Sequence, residues 1–90
     1  MAKARYRIQI LPSAARDLAR LPRRDRERIT AKIDGLATDP HPPGSKKLQG
    51  QANRWRIRVG DYRVIYDIDA GVLVLTVVKV GHRRDVYRGT

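Results

Sequence analysis

The sequence predicts an α+β fold in the order β-α-α-β-β-β, with a helical hairpin packed on one face of a largely antiparallel four-stranded sheet. Three observations carry that expectation. Arg5-Tyr6-Arg7-Ile8-Gln9-Ile10 alternates polar and apolar residues, the period of a half-buried strand. Between Pro12 and Leu36 the apolar residues recur at helical spacing, interrupted once, at Pro22. From Trp55 onward the period returns to two, broken at Gly60-Asp61 and again at Asp69-Ala70-Gly71.

Each element follows from its residues. The first strand places Tyr6, Ile8 and Ile10 on one face. Pro12-Ser13 offers a helix start with Ser13 as the N-cap, and Ala14, Ala15, Leu18 and Leu21 form its apolar stripe. Pro22 ends that helix and suits the first turn of the next, which turns Ile29, Ile33 and Leu36 to the core. Two short helices joined by a Pro-containing turn make an αα-hairpin. Asp39-Pro40-His41-Pro42-Pro43-Gly44-Ser45 cannot continue a helix and forms a loop, with His41 solvated. Gly60-Asp61 suits a two-residue hairpin, so cross-strand partners sum to 121. Trp55 then faces Tyr66 and Ile57 faces Val64, giving a core face. Leu73 to Val78 is apolar on both faces, as an interior strand would be.

Composition bounds the function. Residues 1–90 are expected to form one domain, with no linker or repeat. No stretch approaches the ~20 apolar residues of a membrane span, and the basic N-terminus lacks the apolar core of a secretory signal, so a cytoplasmic protein with no membrane partner is expected. The absence of cysteine removes disulfides and thiolate chemistry, and no cluster of carboxylates or histidines suggests a metal. The net charge of +11, with fifteen of the twenty cations Arg, points to a polyanionic partner. Guanidinium suits phosphate or carboxylate, which it binds bidentately.

The same hairpin register gathers charge on the face away from the core. Arg54 meets Asp67, but Arg58 faces Arg63, a pair of like charges that costs stability. Arg56 shares that face, and Lys79 and Arg83 leave the last strand nearby. A cluster of cations on a sheet is the expected seat of a phosphate. Trp55 and Tyr66 are expected in the core, while Tyr62, near the turn, is placed to stack on a base.

Three segments together are similar to one known family. They are Lys47-Leu48-Gln49-Gly50, Trp55 through Tyr66 (with Gly60-Asp61-Tyr62-Arg63 at its centre), and Val80-Gly81-His82-Arg83-Arg84-Asp85-Val86-Tyr87. Across essentially the whole chain the sequence resembles the RelE/ParE toxin superfamily, and its RelE branch more closely. The resemblance implies a toxin of a type II toxin–antitoxin module that cuts messenger RNA in the ribosomal decoding site and is held in a hetero-oligomer by its cognate antitoxin. ParE-type toxins share the fold and poison DNA gyrase, which is the alternative function.

Carried over by position, the family's basic strand residues fall on Arg56 and Arg58. Its further arginines fall on Arg63 and Arg83, and its closing tyrosine on Tyr87. The implied reaction is transesterification, in which the RNA 2′-hydroxyl attacks the adjacent phosphate and leaves a 2′,3′-cyclic phosphate and a 5′-hydroxyl. No metal or cofactor takes part. The arginines stabilise the transition state, and His82 and Tyr87 are the candidates for proton transfer. The one glutamate, Glu27, falls on the second helix. Lys46, Lys47, Arg54, Tyr62, Lys79 and Arg84 are the expected contacts to RNA and ribosome. The arginines of the helical hairpin divide among ribosomal RNA, antitoxin and water.

Overall fold

The structure is a computed structural model that describes residues 5–50 and 52–85. Strand β1 (Arg7–Ile10) is followed by helices α1 (Pro12–Ala19) and α2 (Arg23–Gly35). Strands β2 (Lys46–Lys47), β3 (Arg54–Val59), β4 (Tyr62–Asp69) and β5 (Val74–His82) complete the order. The sheet runs β1-β5-β4-β3-β2 and has five strands rather than the expected four. The extra strand is β2, which pairs Lys46 with Arg56 and Lys47 with Trp55. Two residues are too few to show a period, so the sequence pattern hides it. β1 joins β5 in parallel, and the other pairs are antiparallel.

Local chemistry sets the ends of the helices. α1 begins at Pro12 after Leu11 as N-cap, so Ser13 lies inside the first turn and does not cap it. Proline tolerates this position because the first-turn N–H has no intrahelical partner to lose. Pro22, with ψ 146°, is the N-cap of α2 and accepts from the Arg26 N–H at 2.9 Å. The expected stripe is narrower than its pattern: Ala14 and Leu18 are buried, but Ala15 is exposed.

The core lies between the helical hairpin and one face of the sheet. Ile29, Ile33 and Leu36 of the α2 segment meet Ile57, Val64, Tyr66 and Val77 there. Tyr66 ties the following loop down: its hydroxyl donates to the Pro40 carbonyl at 2.7 Å. His41 is exposed yet not merely solvated, since its ring lies edge-on to Trp55 with centroids 4.3 Å apart. The loop then delivers the chain to β2.

The β3–β4 register agrees with the sum of 121 at every pair from Arg54↔Asp67 to Val59↔Tyr62. Gly60 takes φ +59, while Asp61 is not among the positive-φ residues, the pattern of a type II′ turn. β5 has a strand on each side, as its two apolar faces predict.

Candidate nucleic-acid interface

Register divides the sheet into a face under the helices and an open face. Core residues Ile57, Val64 and Tyr66 mark the first. Alternation therefore sets Arg54, Arg56 and Arg58 of β3, and Arg63, Ile65 and Asp67 of β4, on the second. Lys46 joins them through its pairing with Arg56.

A bulge decides what β5 contributes. Tyr66 pairs with Val77, but Ile65 pairs with Lys79, so Val78 is an extra residue on β5. Beyond it the alternation changes phase. Lys79, opposite Ile65, and Gly81, opposite Arg63, lie on the open face, while Val80 and His82 turn under the helices. The Arg83 N–H donates to the Asp61 carbonyl at 2.8 Å, which holds Arg83, exposed just past the end of β5, beside the β3–β4 turn. The structure thus brings Arg56, Arg58, Arg63 and Lys79 to one side of the sheet, with Arg83 at its end beside the hairpin turn.

These cations differ in state. Arg54 is neutralised: its Nε and Nη2 donate to the two Asp67 oxygens at 2.7 and 3.0 Å. The hydrogen bond to Asp67 raises the Arg54 pKa, burial opposes that rise and the carboxylate charge adds to it. Arg58 stands opposite Arg63 as predicted. The Arg63 guanidinium bends to the turn, where Nη1 donates to the Tyr62 carbonyl at 3.1 Å, with Gly60 O at 3.5 Å. Arg56 is only 5% exposed, and its buried Nε has no hydrogen-bond partner. An unfilled donor on a buried cation costs on the order of 1–3 kcal/mol, which an anion would recover. Arg56 borders a cleft of about 330 Å³ with Lys46, Lys47 and Arg58.

Other expected site residues lie elsewhere. Tyr62 and His82 form a cross-strand pair under the helices, with ring centroids 6.0 Å apart. The Tyr62 hydroxyl donates to Asp25 on α2 at 3.4 Å, and its phenol pKa is raised by burial and then by the Asp25 charge. His82 Nδ1 accepts the backbone N–H of Arg84 at 3.2 Å, so this ring braces the chain leaving β5 and does not join the arginines. Lys47, opposite Trp55, has the phase of the helix side. Arg84 is exposed past the last strand. Tyr87 lies outside the described residues. Glu27 pairs with Arg23 on the exposed surface of α2 at 2.9 Å. Among the described residues no three His, Cys, Asp or Glu side chains gather into a metal site.

One neighbour of the site has no signal in the sequence pattern. The Arg28 guanidinium of α2 comes within 3.4 Å of where a Cβ on Gly60 would stand, so it lies against the hairpin turn. Helical spacing marks Arg28 only as a non-core position, and the glycine beside it is explained by the turn alone.

The family model described as the ParE toxin of the type II toxin–antitoxin system parDE matches residues 8–87. Among curated proteins the chain is 33% identical to "Toxin RelE" of Mycobacterium tuberculosis over 84 residues, covering 92% of this chain and 87% of that one. It is 31% identical to "Toxin RelG" of the same organism, covering 92% and 97%. Among solved structures, the archaeal RelE–RelB complex of Pyrococcus horikoshii matches with a TM-score of 0.79 and 30% identity, over 90% of this chain and 98% of that one. The RelBE2 toxin–antitoxin complex of M. tuberculosis matches with a TM-score of 0.78 and 28% identity, over 88% and 99%. The strand order, the basic open face and a match along nearly the whole sequence agree: this chain belongs to the RelE/ParE superfamily of type II toxin–antitoxin toxins.

Proposed function

We propose that this toxin is a metal-independent endoribonuclease that cuts messenger RNA on the ribosome and so stops translation. One observation supports the reading most: the bulge in β5 gives Lys79 the phase of Arg56, Arg58 and Arg63 on the open face, and Arg83 follows at the end of β5 beside the hairpin turn. In the reaction the 2′-hydroxyl attacks the neighbouring phosphate, the bond to the 5′-oxygen breaks, and the products end in a 2′,3′-cyclic phosphate and a 5′-hydroxyl. Arg63 and Arg83 stabilise charge on the pentacoordinate phosphorus. Arg56 and Arg58, with Lys46, hold the flanking backbone in the cleft. Arginine keeps its proton near neutrality, so it is no general base. Proton transfer therefore falls to Tyr87 or to ribosomal groups, and His82 serves as a positioning residue that holds the start of the tail.

In this reading residues 1–90 act as one toxin domain in the cytoplasm, and a cognate antitoxin neutralises it. The similar RelE–RelB and RelBE2 structures, which are toxin–antitoxin complexes, support that partner. Lys47, Arg54, Tyr62, Lys79 and Arg84 complete the proposed nucleic-acid contacts, Arg54 and Tyr62 by shaping the sheet rather than by offering a free group.

The ParE description of the matching family model favours a second reading, inhibition of DNA gyrase without RNA cleavage. Induction of the toxin in growing cells separates the two. Messenger RNA cut within translated codons, with cyclic phosphate ends, supports the nuclease; intact messenger with accumulating DNA breaks supports gyrase poisoning.

A further inference from the structure

A cavity of about 460 Å³ lies between α2, β3 and the loop that precedes β2. That volume falls within the ~300–1,000 Å³ of small-ligand pockets. Leu36 and Ile57 line it from the core, and Pro42 and Pro43 line it from the loop. These four side chains offer apolar surface and no hydrogen bonds, so the side chains that can bond a ligand there are Lys32, Asp39 and Arg58.

Two observations mark the cavity as a place for something else than this chain. The first is Gly35, which also lines it and ends α2. Its φ is not positive, and a Cβ there would meet nothing within 4 Å. Alanine suits a helical position better than glycine, so neither the backbone nor the packing of the chain calls for this residue. Glycine keeps that wall flat. The second is the state of the charges. Among the described residues neither Lys32 nor Arg58 joins an ion pair, and the Asp39 carboxylate accepts the His41 N–H at 3.3 Å. An ammonium and a carboxylate that border one cavity without pairing suit a ligand that carries an acceptor beside donors.

We propose that the cavity binds a guanine nucleotide, with the base between the prolines and Leu36 and a phosphate on Arg58. The Watson–Crick edge of guanine presents the O6 acceptor and then the N1–H and N2–H donors, which match Lys32 and Asp39 in turn. Adenine sets its N1 acceptor against the carboxylate, cytosine has one donor beside an acceptor, and uracil has one donor between two carbonyls. Each leaves Asp39 or Lys32 without its partner, which is the basis of the selection. Arg58 also borders the cleft with Lys46 and Arg56, so one guanidinium joins the base site to the cations proposed to hold RNA. A guanosine of an RNA strand and a free guanine nucleotide share this chemistry. The inference goes beyond the nuclease reading and does not depend on it.

The test measures binding to the whole toxin of short 2′-O-methylated oligouridylates, which cannot be cut, carrying a single G, A or C, alongside GMP and AMP. The G strand should bind about tenfold or more tightly than the other strands, and GMP more tightly than AMP. Asp39→Asn replaces one acceptor with a donor, and Ala31→Trp fills the cavity from an exposed position on α2. Each should erase the preference for guanine while leaving affinity for plain oligouridylate unchanged, with thermal melts confirming the fold. Ala19→Trp, on exposed α1, should keep the preference. A G strand bound more tightly than GMP supports the site with RNA as the source, and equal affinity supports it with the free nucleotide as the source. Equal affinity for all four strands and both mononucleotides, or a preference that survives both cavity variants, overturns the assignment. Messenger cleavage by a toxin without guanine preference would leave the nuclease reading standing, and guanine preference in a toxin that cuts no messenger would overturn that reading alone.

Discussion

Replacing Tyr66 with Phe removes one oxygen from the middle of the molecule, and its effect should change sign with pH. Tyr66 is 0% exposed, and its hydroxyl donates to the Pro40 carbonyl at 2.7 Å. At neutral pH the ring packing survives, but the bond is lost and a carbonyl is left without its donor, a destabilisation of about 1–2 kcal/mol. Burial, with the negative charge of Asp39 next in size, pushes the Tyr66 phenol up from 10.0 to about 12. A folded-state pKa above the unfolded one means that the fold favours the neutral phenol. That contribution is complete below pH ~10 and is lost as pH rises through ~12, a fall of about 3 kcal/mol by linkage. Phenylalanine has no such limb. The variant should therefore be less stable than wild type at pH 8, equal near pH 11, and more stable by about 1 kcal/mol above pH 12. Urea melts across that range measure it, and the other titrating groups cancel in the difference between the two proteins. Parallel stability curves for the two proteins would refute the argument.

Two further substitutions separate chemistry from architecture. Arg63→Ala removes the guanidinium opposite Arg58 together with its bond to the Tyr62 carbonyl, opposing effects that should leave stability within about 1 kcal/mol of wild type. Ribosome-dependent cleavage should fall by ~10²–10³-fold, the scale for a lost transition-state donor, and an unfolded variant would show the pair to be structural. His82→Gln should keep cleavage within about tenfold and leave the acid limb of the pH–rate profile in place, because the ring lies under the helices against Tyr62. A loss of ~10²–10⁴-fold with a flattened acid limb would instead put the imidazole in proton transfer.

Much of this protein follows from short-range chemistry along the chain. Gly60-Asp61 is a two-residue turn, and a turn of fixed length sets every pair of the hairpin it closes, so Arg54–Asp67 and the opposed Arg58 and Arg63 are legible without coordinates. Pro22 and the spacing of Ile29, Ile33 and Leu36 likewise announce two helices and the side they bury. The arginines of β3 and β4 on the open face are visible for the same reason, as alternate positions of the two paired strands. Pairings between distant segments carry no such local mark. The two-residue β2 exists only because β3 offers it an edge, and β1 finds β5 across the whole chain. Arg56 reads as one more surface cation, yet packing on the open face buries it to 5% exposure. The bulge at Val78 matters most. Unbroken alternation from Leu75 would put His82 on the open face and Lys79 under the helices, and the bulge exchanges them. A run of five apolar residues, Leu73 to Val78 apart from Thr76, gives no hint of where a residue will be skipped. The skip is settled by how β5 must bend to pair with β4 while keeping both Val77 and Val80 in the core, a condition that exists only once the sheet and helices are packed together.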